Sequence, residues 1–129
     1  MREDHRERVK DLCFEFAEAL KERGLSHDLS KETDEIEAKG FSVIESAPYG
    51  TQAYVENLEK IKESVFRHYE NNRHHPEHFK DGIRGMNLLD LVEMVMDWKS
   101  FGDAETHFLT QVKRFNIGED LASIIKNSL

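Results

Sequence analysis

The stretch RHYENNRHHPEHF, residues 67–79, holds four of the chain's seven histidines and one of its two prolines. A solvated loop has no use for that density of imidazole, and a packed core has little room for it. Imidazole combined with carboxylate is the ligand set of zinc, manganese, iron or nickel, so the histidines of this stretch, His68, His74, His75 and His78, are candidate metal ligands. His78 lies four residues after His74 and shares its face if Pro76 opens a helical turn. Together with Glu77 it could instead orient a ligand imidazole, which metal-bound histidines usually require.

Three ionisable groups fall on helical faces that should be buried. His5 is four residues before Val9 and seven before Leu12, and so shares their face. His68 extends the face of Ile61 and Val65. Asp97 lies inside VEMVMDW, where a buried carboxylate is expensive unless it is paired or binds a metal. Singly, each reads as a satisfied structural residue, and Asp97 could pair with a Lys or Arg. Three of them on separate helices, beside a histidine cluster, favour a metal. His27-Asp28 is too short a pair to carry an assignment alone, but adjacent residues at a turn can aim an imidazole and a carboxylate at one ion. Lys31 follows at the third position, where its ammonium could reach a phosphate oxygen. Asn71, Asn72 and Arg73 stand beside the cluster and could contact substrate, or Asn72 could cap a turn.

The elements that must position these groups are helical, because the periodicity throughout is near 3.6 and no convincing alternating strand occurs. The spacing predicts a first helix over about 2–23, with Val9, Leu12, Phe16 and Leu20 inward and Gly24 at its end. A second helix, capped by Ser30, runs through an acidic and solvated stretch to Ala38. GFSVIESAPYG breaks at Pro48 and Gly50. A third helix over 51–69 turns Tyr54, Leu58, Ile61 and Val65 inward. Asn87 caps a fourth, LLDLVEMVMDWKSF, which places Trp98, Met94 and Met96 in the core. Asp103 caps a fifth to about Phe115, and a final helix follows. Cys13 lies near the apolar face of the first helix, and His107 falls outside the pattern as a surface or packing residue. The expectation is an all-α, compact single-domain bundle of five to six helices over 1–129, with the motifs in 5–99 and further helices over 103–129.

Eighteen Lys and Arg against 26 Asp and Glu give a net charge of −8. That argues against polymeric nucleic acid and anionic membrane as partners. It leaves open a small phosphorylated ligand, because a bound cation reverses the local field. One cysteine permits no internal disulfide and suggests a reducing, cytoplasmic compartment. The opening MREDHRERVK is too charged for a signal peptide, and no apolar run approaches a membrane span.

In order, His5, His27-Asp28 within HDLSK, His68, the HH of 74–75 and Asp97 resemble the HD-domain superfamily of helical metal-dependent phosphohydrolases. The run GLSHDLSK … HYENNRHHPEHF … EMVMDWK looks most like small HD-like proteins of phages and bacteria. The resemblance implies that His5, His27, Asp28 and Asp97 hold a first metal. His68 and His74 or His75 would hold a second, with Asp28 bridging. It implies one or two divalent ions (Mn, Fe, Ni, Co or Zn) that activate a water to attack a small phosphoester, such as a nucleotide. Asp28 would bridge the ions or take the proton, and Lys31 or Arg73 would offset charge on the phosphoryl oxygens. Two departures stand out: the short spacing from His5 to His27, and the absence of the GYP signature of cyclic-dinucleotide hydrolases. The rival readings are an HD-fold di-iron oxygenase, a non-catalytic metal-stabilised binding module, and a helical domain without metal.

Overall fold

The computed structural model describes residues 2–44, 47, 48 and 50–129. Among these the chain is all-helical, in seven α-helices: α1 Arg2–Ser26, α2 Ser30–Thr33, α3 Glu35–Ile44, α4 Gln52–Asn71, α5 Leu88–Lys99, α6 Ala104–Arg114 and α7 Glu119–Asn127. Two 3₁₀ turns, Pro76–His78 and Gly82–Gly85, bridge α4 to α5. None of the described helices is long and apolar enough to cross a membrane.

The helix ends follow local chemistry. Thr51 accepts a hydrogen bond from the Tyr54 amide and starts α4. Asn87 and Asp90 form a reciprocal capping box at α5. Asp103 accepts from the Thr106 amide and starts α6. The expected second helix is split at Asp34, whose extended backbone ends α2. Its carboxylate accepts from the amides of Ile36 and Glu37 to begin α3. Ser30 sits inside α2 rather than capping it. Within GFSVIESAPYG, α3 continues to Ile44, and residues 45, 46 and 49 lie outside the described residues.

The long α1 runs past Gly24 and packs its C-terminal part on α5. Its N-terminal half stands clear: Val9 and Leu12 are exposed, as is Cys13, while Phe16 and Leu20 are half-buried. The inward face foreseen for α1 is therefore corrected over its first three turns, because no other element among the described residues covers it. Leu58 and Met96 are also exposed.

Apolar burial is concentrated at one end. Met94, Val95 and Trp98 of α5 meet Phe108 of α6, Ile117, and Ile125 of α7. At the other end α3 packs closely on α4, with Gly40 opposite Ser64. The buried positions there are Glu37, Gly40, Ser64 and His68. Between the two ends lies a band of buried polar side chains that joins them.

Candidate metal centre

Four elements deliver the candidate ligands. The end of α1 is anchored by Arg23, whose Nε donates to Glu93 Oε1 at 2.6 Å and whose Nη2 donates to Asp90 Oδ1 at 2.8 Å. That anchor sets the turn carrying His27 and Asp28. Asp28 adopts a left-handed backbone, φ 54°, a conformation that Asp tolerates and most side chains do not. His68 lies in the last turn of α4. There Asn72, the C-cap, donates to the His68 carbonyl at 2.9 Å and to Ser30 Oγ at 2.7 Å, tying α4 to α2. His74 and His75 lie in the loop that follows. On α5, Asp90, Glu93 and Asp97 share one face at helical spacing.

Two buried glutamates orient the imidazoles. Glu93 Oε2 stands 2.7 Å from His27 Nδ1 and 2.8 Å from His74 Nδ1. Glu37, fully buried, stands 2.5 Å from His68 Nδ1 through its Oε1. With each Nδ1–H engaged, each ring turns its Nε2 inward. Asp28 Oδ1 is 3.3 Å from both His68 Nε2 and His74 Nε2, and Oδ2 is 3.4 Å from His27 Nε2. His75 Nε2 is 3.0 Å from His68 Nε2. Asp97 closes the other side, 3.5 Å from His27 Nε2.

One ligand atom from each of Asp28, His68, His74 and His75 lies within 4.8 Å of the others, and so do those of His27, His74 and Asp97. Either group could hold a metal ion. His74 belongs to both, and Asp28 points one oxygen toward each. Asp28 Oδ1 and His74 Nε2 are buried and, though close, make no hydrogen bond. Buried polar atoms are rarely left so, and the donor set, nitrogen and carboxylate oxygen, fits a divalent transition metal.

The electrostatics agree with a site built for positive charge. Burial alone would raise the Asp28 carboxyl, but the imidazoles of His68 and His74, with His27 and Lys31 close by, hold it well below the usual range. Burial likewise opposes ionisation of Glu93, and His74, His27 and Arg23 overcome it and bring it to about 2. His74 is raised to about 9, since Asp28 and Glu93 outweigh its burial. His75 falls to about 3 through burial and the neighbouring His74 and His68, and so presents a neutral ring.

The structure gathers His27, Asp28, His68, His74, His75 and Asp97, and it excludes His5. His5 is exposed near the start of α1, roughly 30 Å along a continuous helix from the turn at its end. Arg73 is held by an acidic partner on α5. It forms a bidentate pair with Asp90, with both bonds at 3.0 Å. Lys31 keeps its place, 3.4 Å from Asp28 Oδ2 and partly exposed. His78 binds the Tyr69 carbonyl at 2.8 Å and Glu77 pairs with Arg114, so neither orients a ligand. Asn71 binds Asp34 and Glu37. Glu37 and Glu93 were not foreseen. Glu93 sits four residues before Asp97 in the same apolar run, a signal that was present. Glu37 sits in what reads as a solvated acidic stretch.

No curated protein and no solved structure matches the chain. A family model covers residues 2–129, hence nearly the whole fold and every residue of the centre. The chain belongs to that family, the family of unknown function DUF5662.

Proposed function

We propose that the chain is a metal-dependent phosphohydrolase of the HD type, acting in the cytoplasm on a small phosphoester such as a nucleotide. The observation that carries this reading is the Asp28 carboxylate, which directs its two oxygens toward two groups of imidazoles whose outer nitrogens are pinned by Glu93 and Glu37. A divalent ion (Mn, Fe, Ni, Co or Zn) bound there supplies Lewis acidity and a water acidified toward neutral pH. The chain's own residues supply the rest. Lys31, at the rim, offsets charge on a phosphoryl oxygen. Asp97, with its side chain 24% exposed and 3.5 Å from His27 Nε2, would take the proton of a water activated there. Arg23 and Asp90 hold α1 against α5, so that the ligands keep their spacing.

Elemental analysis of untagged protein beside Asp28→Asn tests the reading, because Asn tolerates the left-handed backbone that Ala would strain. The expected outcome is one or two equivalents of metal, lost in the variant, with phosphate released from part of a nucleotide and phosphoester panel by the parent only. No metal in either sample, even after incubation with each candidate ion, would remove the reading. Metal without turnover would leave a binding module. Iron with a visible charge-transfer band and oxygen consumption would move the chemistry to an oxygenase.

A further inference from the structure

The first three turns of α1 have no cover among the described residues, and their sequence says what fits them. His5, Val9, Leu12 and Phe16 follow one another at alternating spacings of four and three residues, the seam of a helix that packs lengthwise on another helix. Val9 is 46% and Leu12 62% exposed. From Phe16 onward the same stripe is occupied. Phe16, Ala19 and Leu20 are half-buried, and Arg23 binds Asp90 and Glu93 on α5. A helical run of about 12 residues without packing is marginal in water, so the free stretch from Asp4 to Glu15 calls for a partner helix. Its charge suits its own kind. The whole chain carries −8, but Arg2, Arg6, Arg8 and Lys10 nearly balance the five acidic residues from Glu3 to Glu15, so this segment does not repel its copy.

We propose that α1 is a self-association surface, on which two copies of the chain pair antiparallel about a two-fold axis between Val9 and Leu12. A two-fold interface sets residue i on j and j on i. About this axis Val9 meets Leu12 of the second copy and His5 meets its Phe16, each contact occurring twice. Charge complementarity selects this arrangement. Arg8 and Glu15 lie seven residues apart on one flank of the seam, both exposed, and the axis falls between them. Arg8 of each copy therefore faces Glu15 of the other. A parallel pair would instead set Arg8 beside Cys13 and Glu15 beside Leu20. Phe14, on the far side of the helix, takes no part. No gathered metal ligand lies on this stretch, so the pairing stands apart from the metal chemistry.

Sedimentation equilibrium of the full chain at low ionic strength tests the proposal, with circular dichroism on the same samples. The parent should show a reversible monomer–dimer equilibrium, and its helix content should rise with concentration as the first turns of α1 gain cover. Leu12→Glu places a charge in the seam and should leave a monomer throughout. Arg8→Glu and Glu15→Arg each set like charges across the axis twice, and each should weaken the dimer roughly tenfold or more. The double variant carrying both changes should restore it. An equimolar mixture of the two single variants should also restore it, as a heterodimer. These side chains are exposed, so each variant should keep the remaining helix content and the metal content of the parent. A parent that stays monomeric at submillimolar concentration would overturn the proposal, whether that monomer then binds phosphatidylcholine vesicles or a different protein. A dimer that survives Leu12→Glu, or single charge reversals that neither weaken it nor rescue each other, would overturn it as well.

Discussion

Glu37 meets no solvent, yet it lies at the side of His68 rather than in any apolar cluster. A buried carboxylate persists only where its charge is used, and here it fixes one imidazole tautomer and its orientation. Glu37→Gln keeps the shape and one acceptor but removes the charge that strengthens His68 as a donor. Outer partners of this kind are worth 10- to 100-fold in metal affinity. Competition with a chromophoric chelator should show a loss in that range, with the circular dichroism spectrum unchanged. Unaltered affinity would reduce Glu37 to packing. The same residue marks where sequence reasoning stops. Four of the six gathered candidates, His68, His74, His75 and Asp97, were legible because histidine and aspartate are conspicuous on apolar faces or in clusters, whereas the short His27-Asp28 pair gained its role only through the family resemblance. Glu37 was hidden among Glu32, Asp34 and Glu35, where charge usually signals solvent. His5 erred in the opposite sense: helical phase tells which face a residue shares, not whether any partner reaches that far along the helix. The pairing of Arg73 was not legible because its partner, Asp90, lies 17 residues away.

At the level of elements, the helix starts capped by Thr51, Asn87 and Asp103 were legible. The division of α2 from α3 was not, because Asp34 both ends one helix and starts the next. The approach of α3 to α4 depends on Gly40, buried mid-helix, where a Cβ would fall inside the Ser64 side chain. Ser64 is itself committed, donating to the Ile36 carbonyl at 2.8 Å. It therefore has no cheap way to yield. Overpacking of this kind typically costs about 1–3 kcal/mol, and Gly40→Ala should lower the unfolding free energy by that amount in urea. Ala is the better helix former by up to about 1 kcal/mol, so an unchanged or raised stability would mean that α3 and α4 are not held at this distance. Gly24, itself exposed on α1 with nothing near its Cβ position, is the control: Gly24→Ala should be neutral or mildly stabilising.

Over the whole molecule, stabilisation is unevenly distributed. The buried hydrophobic side chains described, from Met94 to Ile125, all belong to the segment holding α5, α6 and α7. The helices α2, α3 and α4 join it largely through the polar band of Glu37, His68, Asn72, His74 and Glu93, with half-buried apolar groups around it. Without an ion, Asp28 Oδ1 and His74 Nε2 at its centre lie 3.3 Å apart without a hydrogen bond. A ligand that binds only the folded state adds about 2.7 kcal/mol at a hundredfold excess over its Kd. A metal ion should therefore act as the tie between the two ends. Stripping it with a chelator should lower the melting temperature by several degrees, and readdition should restore it. Asp28→Asn should melt at one temperature with or without chelator. The loss should also be regional: amide exchange should accelerate in α3 and the C-terminal half of α4, with α5 and α7 little changed, since local opening follows local burial. Uniform acceleration would show that the ion stabilises the fold as one unit, and no chelator effect in the parent would show that the polar band holds without it.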